Sequence, residues 1–233
     1  MICTSPSTSP LGLISHQLLD KLGSGALVFG SRQINPPVTN LKILIACEQS
    51  GIVRDAFRAI GHDAYSCDIL PSDSPYHIEG DALKILDQGW NAMICHPPCT
   101  DLAISGARWF PEKIADGRQQ RAIDFAKALW NAPIEKIALE NPISILSSHI
   151  RKPDQIIQPW QHGHEATKST CLWLKGFPKL HPTQIVGKGD RCITKSGKSL
   201  PAWYSNIPSS KNRSQLRSIT FEGIALAMAS QWG

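Results

Sequence analysis

Lys42-Ile-Leu-Ile-Ala-Cys-Glu-Gln-Ser-Gly51 is a continuous apolar run of strand length that stops in a polar turn closed by glycine. A strand without polar alternation is buried on both faces, as in a parallel sheet covered by helices. Just downstream, Ile52, Val53, Ala56, Phe57 and Ile60 recur at helical spacing, and Gly61 falls where that helix ends. Asp63 to Ile69 reads as a second strand ending in Cys67-Asp68, and Asn91 to Cys95 as a third that runs into His96-Pro97-Pro98-Cys99. A helix is expected over Arg118 to Asn131, with Ile123, Ala126 and Trp130 on one face. Lys136 to Leu139 gives a fourth strand closing on Glu140-Asn141-Pro142. This rhythm predicts an open α/β sheet with ligands at the carboxyl ends of its strands. Ser169 to Leu174 adds another strand, and Phe221 to Trp232 a final helix.

Working outward, the 233 residues are 42% hydrophobic and 18% charged, enough apolar side chain for a real core and too little charge for a disordered chain. No apolar run approaches the ~20 residues of a membrane-spanning helix, so no membrane role is expected. Residues 1–40 are rich in Ser, Thr, Pro and Gly and end in Asn35-Pro36-Pro37; they read as a partly disordered extension with one short helix near Ser15 to Leu22. The working domain is expected over 41–233. The seven cysteines of the whole chain are scattered, with no CxxC pair, which predicts reduced thiols and a cytoplasmic setting. Charge is unevenly spread: residues 1–150 carry a net −3 and residues 151–233 a net +8. Such asymmetry is either a footprint for a polyanion or a solvated basic face. Its densest part, about 182–217, is a basic insertion with Trp203-Tyr204 at its middle.

Three polar clusters fall at strand ends: Glu48-Gln49-Ser50-Gly51, Asp68, and Asp81 after Gly80. In a doubly wound sheet the first glycine turn lets the backbone approach a nucleotide-like ligand, and an acid ending the second strand takes ribose hydroxyls. An ordinary turn and an ordinary strand-end acid would look the same. The run His96-Pro97-Pro98-Cys99 is sharper, because two prolines hold the chain extended and fix Cys99 at the mouth of the sheet. A nucleophilic thiol needs such placement. The alternatives are a packed inert thiol, or a zinc site using Cys95, His96 and Cys99; a Pro-Pro spacer without a second ligand pair makes a poor chelating loop. Glu140 either shares a pocket with Cys99 or caps a following helix.

Taken in order along the chain, Ala46-Cys-Glu-Gln-Ser-Gly51, Cys67-Asp68, Gly80-Asp81, His96 to Thr100, Ser105-Gly-Ala-Arg-Trp109, Ala138 to Pro142, Arg151 to Trp160, Thr167 to Lys175 and Ala225 to Trp232 resemble the C5-cytosine DNA methyltransferases. The likeness is greatest to the short phage and prophage proteins described as cytosine methyltransferase-like, and it runs from Leu41 to Gly233. It implies an α/β, Rossmann-like S-adenosylmethionine-dependent methyltransferase fold in a bacterial or phage-infected cell. Cys47, Glu48, Ser50 and Gly51 would then cradle the methionine part of S-adenosylmethionine, with Pro97 also against the cofactor. Asp68 would bind the ribose, Ile69 would lie against the adenine, and Asp81 would reach the adenine amino group. Cys99 would attack C6 of a flipped cytosine while Glu140 hydrogen-bonds at N3. The chemistry demands both, since C5 is not nucleophilic until a covalent adduct at C6 makes it enamine-like, and the base must leave the stack to be reached.

The chain departs from that family in definite places. Of Phe-x-Gly-x-Gly only Gly51 remains, Glu-Asn-Val is Glu-Asn-Pro, and Lys168 stands in for the first arginine of Gln-x-Arg-x-Arg. The target-recognition region is much reduced. DNA contact is therefore expected from Lys188, Arg191, Lys195, Lys198, Lys211, Arg213 and Arg217, with Trp203 or Tyr204 stacking on the extruded base or tucked into the core. An amino-methyltransferase would carry an aromatic residue where Cys99 stands. A catalytically silent or differently targeted DNA- or nucleotide-binding protein of the same fold is the alternative from another class. No metal is expected.

Overall fold

Alternate residues of β1 (Lys42–Ala46) feed two separate cores, which is what a strand buried on both faces must do. Ile43 and Ile45 pack on one side with Val53, Phe57, Met228 and Trp232; Leu44 and Ala46 pack on the other with Met93, Ile123, Leu129 and Trp173. The computed structural model describes residues 40–194, 197–207 and 217–233. These belong to one compact unit, Val38–Gly233. The expected helix near Ser15 to Leu22, and Lys195, Lys211 and Arg213, lie outside the described residues.

The remaining strands of the main sheet are β2 (Asp63–Asp68), β3 (His77–Glu79), β4 (Ala92–Cys95), β5 (Lys136–Pro142), β6 (Gln155–Ile157) and β7 (Thr170–Lys175), and the seven run in the order β3-β2-β1-β4-β5-β7-β6. The first five pair in parallel, and β7 is antiparallel to both neighbours. The chain moves outward from β1 in one direction and then returns to build β4 and β5 on the other side. The crevice between β1 and β4 is thus the topological switch point where ligands bind in such sheets.

Helix α1 (Ile52–Ala59) lies on one face with the last helix, α6 (Glu222–Trp232), and α3 (Arg118–Trp130) covers the other. The close seating of α6 depends on Gly223: a Cβ there would stand 1.8 Å from the His162 carbonyl oxygen, and the Gly223 N–H donates to His164 Nε2 at 2.8 Å. Between β7 and α6 the described residues hold a small antiparallel pair, β8 (Arg191–Ile193) with β9 (Ser199–Pro201), and one turn of helix, α5 (Ala202–Ser205). These elements are built on the basic insertion.

The strand expected to close at Glu140 continues to Pro142, because β7 pairs with it as far as Thr170. Glu140 is accordingly a strand residue and not a helix cap. The short helices α2 (Phe110–Ala115) and α4 (Leu146–His149), and the edge strands β3 and β6, were not expected from the sequence.

Candidate active site

The carboxyl ends of β1, β2 and β4 open into a cleft of about 590 Å³ whose lining includes Cys47, Asp68, Ile69, Asp81, Pro98 and Phe125. Each part of this wall has a local cause. Cys47 leaves β1 in the left-handed region, φ 60°, a costly conformation for a residue with a Cβ. Its N–H and that of Glu48 both reach the Cys67 carbonyl, at 2.7 and 3.2 Å, which binds the turn to the end of β2. Asp68 accepts from the Leu70 N–H at 2.9 Å, and Asp81 from the Leu83 N–H at 3.0 Å. Both acids therefore hold their own loops while facing the cleft. Ile69 is 74% exposed, an apolar surface free to meet a flat ring.

Glu48, Ser50 and Gly51 are not on the cleft lining. Buried Glu48 accepts from the Val53 and Arg54 N–H groups at 2.7 and 3.2 Å, and Ser50 Oγ donates to it at 3.3 Å. It serves as the cap of α1, reaching across the turn from five and six residues away. Burial pushes its carboxyl up, against the lowering pull of His96 and these N–H donors. Gly51 sits at φ +75°, and a Cβ would lie 2.1 Å from the Arg54 guanidinium folded over it. Pro97 likewise stands beside the lining, which takes in Pro98 instead.

Beyond β4 the chain is tied down on both sides. Asn141 donates to the Pro97 carbonyl at 2.8 Å, fixing the Pro-Pro segment to β5. Buried Lys113, from α2, donates to the Thr100 carbonyl and pairs with Asp101 at 3.2 Å. The N–H groups of Leu102 and Ala103 both reach the Cys99 carbonyl, at 3.0 and 2.9 Å. Cys99 is thereby held half-buried on a loop braced from both sides.

This placement brings Cys99, Glu140 and Lys168 into one electrostatic neighbourhood, with Arg217 joining from the basic insertion. Burial and the Glu140 carboxylate push the Cys99 thiol above its ordinary value, while Lys168 and Arg217 pull it back. Cys47, Cys67, Cys95 and Cys171 are also raised, burial first, but among the described residues Cys99 is the displaced thiol with cations beside it. Burial would lift Glu140 too. The hydrogen bond and charge of His96, the Lys168 ammonium and the Thr170 hydroxyl outweigh it and hold the carboxyl below the usual carboxylate range. Glu140, Lys168 and Thr170 also line a narrow slot of about 10 Å³ with Thr220, Phe221 and Ile224. His96, considered from sequence only as a metal ligand, lies 3.0 Å from Glu140 through Nδ1. Nothing in its spacing signalled that partner, 44 residues away. No group of three or more metal-binding side chains occurs among the described residues.

The basic insertion meets this site through aromatic rings. Trp203 donates its indole N–H to the Thr167 carbonyl at 3.2 Å and packs edge-on against Phe221 and Tyr204. The Arg217 guanidinium lies 3.9 Å over the Tyr204 ring, and the Lys168 ammonium 5.8 Å from the Phe221 centroid. Arg191 spends its guanidinium on Ser199, bracing β8 against β9, while Lys188 lies 5.4 Å over Trp160. Lys198, on the turn between the two strands, holds that turn through its N–H to Thr194 at 3.0 Å.

No family model and no curated protein matches this sequence. Among solved structures the chain is similar to a prophage-encoded E. coli protein assigned as a DNA modification methyltransferase, at 14% identity and TM-score 0.44 over 64% of this chain and 52% of that one. It is also similar to a methyltransferase of Entamoeba histolytica, at 15% identity and TM-score 0.43 over 73% and 65%. The chain thus spans less than two thirds of the length of either. The strand order, with a single antiparallel β7 inserted beside β5, is a Rossmann-like doubly wound arrangement.

Proposed function

We propose that this chain transfers a methyl group from S-adenosylmethionine to C5 of cytosine in DNA through a covalent Cys99–C6 adduct. The observation that carries the reading is the meeting of a fixed thiol, a buried carboxyl and two cations, Lys168 and Arg217, next to a cleft at the switch point of the sheet.

The cleft fits the cofactor in size and lining. Its volume of about 590 Å³ falls within the ~300–1,000 Å³ of small-molecule sites. Asp68 and Asp81 offer carboxylates for ribose and amino groups, and Ile69 with Phe125 offers apolar walls for a purine. Bound there, S-adenosylmethionine supplies an electrophilic methyl group.

The chain's own residues account for the rest. The Cys99 thiolate bonds to C6, and the ring electrons move through C4 to N3, which takes a proton that Glu140, ionised in the free chain, draws from solvent as the base binds. The resulting enamine carries its electron density at C5, where the methyl is accepted; N3 then returns its proton. Loss of the C5 proton to solvent water and departure of Cys99 as its thiolate restore the aromatic ring. Lys168 and Arg217 favour the thiolate at the start and hold a polar base edge or phosphate thereafter. The slot beside Glu140 is too small for a pyrimidine, so entry of the base requires the Thr220-Phe221 wall to move. DNA as the substrate is supported by the net +8 of residues 151–233 and by the exposed lysines near β8 and β9.

The test is product analysis. The full chain, labelled S-adenosylmethionine and mixed-sequence duplex DNA should yield label in 5-methylcytosine after digestion to nucleosides. Label in N6-methyladenine or N4-methylcytosine would contradict the C5 reading while keeping methyl transfer.

A further inference from the structure

His96 is the one polar side chain of the Pro-Pro loop that the chemistry above leaves without a task. Its backbone N–H bonds the Ala46 carbonyl at 2.9 Å, which places the ring between the glycine turn and β5. Nδ1 lies 3.0 Å from Glu140 Oε2, with the two side chains only 12% and 15% exposed. Nε2 is buried and finds no hydrogen-bond partner among the described residues. An ionised carboxylate can only accept, so the Nδ1–H donates and Glu140 Oε2 accepts. A contact of this kind, between a ring and a strand carboxylate 44 residues away, orients the carboxyl and stabilises its ionised form.

We propose that His96 is the positioning residue for Glu140: its Nδ1–H fixes Oε2 and stabilises the carboxylate that remains when N3 of the base takes the Glu140 proton. The proposal rests on the cytosine reading above. The proton leaves the Glu140 carboxyl as the sulfur–C6 bond forms and returns to it when the C4=N3 bond is restored, while His96 keeps its Nδ1 proton throughout. The groups acting on the Glu140 carboxyl are His96 after β4, and Lys168 and Thr170 at the start of β7. Its charge is felt in turn by the thiols of Cys95, Cys99 and Cys171. Glu48, at the cap of α1, also feels the charge of His96.

The experiment has one arm that needs no substrate. In the full chain with 13C-labelled glutamate, the Glu140 carboxyl signal, assigned by its loss in Glu140→Gln, is titrated in wild type, His96→Ala, His96→Asn and His96→Gln. Asn keeps a donor where Nδ1 stands, and Gln places one out of line. Loss of the ring should raise the Glu140 midpoint in the Ala and Gln variants, with the Asn variant partly restored. An unchanged midpoint in His96→Ala, or equal midpoints in the Asn and Gln variants, overturns the proposal; if the Ala variant does not fold, the Asn–Gln contrast decides it. The second arm follows the rate of adduct formation with a 5-fluorocytosine duplex against pH. There the maximal rate should fall roughly tenfold in His96→Ala and His96→Gln with DNA affinity unchanged, since proton donation of this kind contributes about 10²–10⁴-fold in all. No wild-type adduct on any duplex, together with the expected titration shifts, would sink the cytosine reading and leave the pairing standing. Adducts that form equally fast without His96 would sink the pairing alone.

Discussion

At Cys99 two opposing influences meet within one side chain's reach, and their signs can be tested separately. Burial and Glu140 raise the thiol; Lys168 and Arg217 lower it. Because the thiolate is the reactive form, alkylation by iodoacetamide should increase with pH through and above the ordinary thiol range. Lys168→Met removes a lowering charge, so its alkylation at neutral pH should slow several-fold. Glu140→Gln removes a raising charge and should accelerate it. Opposite shifts in the two pH profiles are expected, and shifts of the same sign would mean the three groups do not act on one another. The same pocket shows what sequence could and could not give. Cys99 was legible because two prolines and a preceding buried strand restrict the backbone locally. His96 as the partner of Glu140 was not, because their contact exists only through the pairing of β4 with β5.

At the scale of the element, the turn after β1 and the loop after β4 are held by buried polar side chains doing structural work. Glu48 satisfies the Val53 and Arg54 N–H groups, two of the four that every helix start leaves open. Glu48→Ala should cost about 1–2 kcal/mol in chemical denaturation, the usual worth of a helix cap. Lys113→Met should cost about 1–3 kcal/mol, since it strips the partner from Asp101 and from the Thr100 carbonyl. It should also slow reaction at Cys99 by loosening the loop. A Glu48→Ala variant of unchanged stability would return that residue to the cofactor side. The central elements were readable in the sequence because burial imposes period on them: β1, α1, β4 and α3 fall within a residue or two of their expected spans. The strands β3 and β6 were not, being three-residue edges whose pairing is decided by their neighbours. The extension of β5 through Glu140 was hidden for the same reason, since β7 supplies its partner from more than thirty residues downstream.

For the molecule as a whole, charge separates two tasks. The acidic first part builds the five parallel strands and the cleft lining, and the basic last part brings Lys168 and Arg217 to act on Cys99. If Lys188 and Lys198 neutralise phosphates, Lys188→Gln with Lys198→Gln should reduce the slope of log affinity against log salt by about 2 in fluorescence anisotropy, nearly 0.9 per lost contact. Arg217→Gln should differ in kind, lowering the rate of reaction at Cys99 as well as affinity, because Arg217 rests on Tyr204 within reach of the thiol. An unchanged slope in the lysine double variant would make that face a solvated one. Covalent attack by Cys99 on cytosine in DNA can be seen by trapping. The full chain and S-adenosylmethionine are incubated with a duplex carrying 5-fluorocytosine, where the C5 fluorine blocks release of the enzyme. Wild type should give a denaturation-resistant protein–DNA adduct, and Cys99→Ala should give none while still binding the cofactor. An adduct that survives in Cys99→Ala, or none in wild type across varied sequences with cofactor binding intact, would contradict the account.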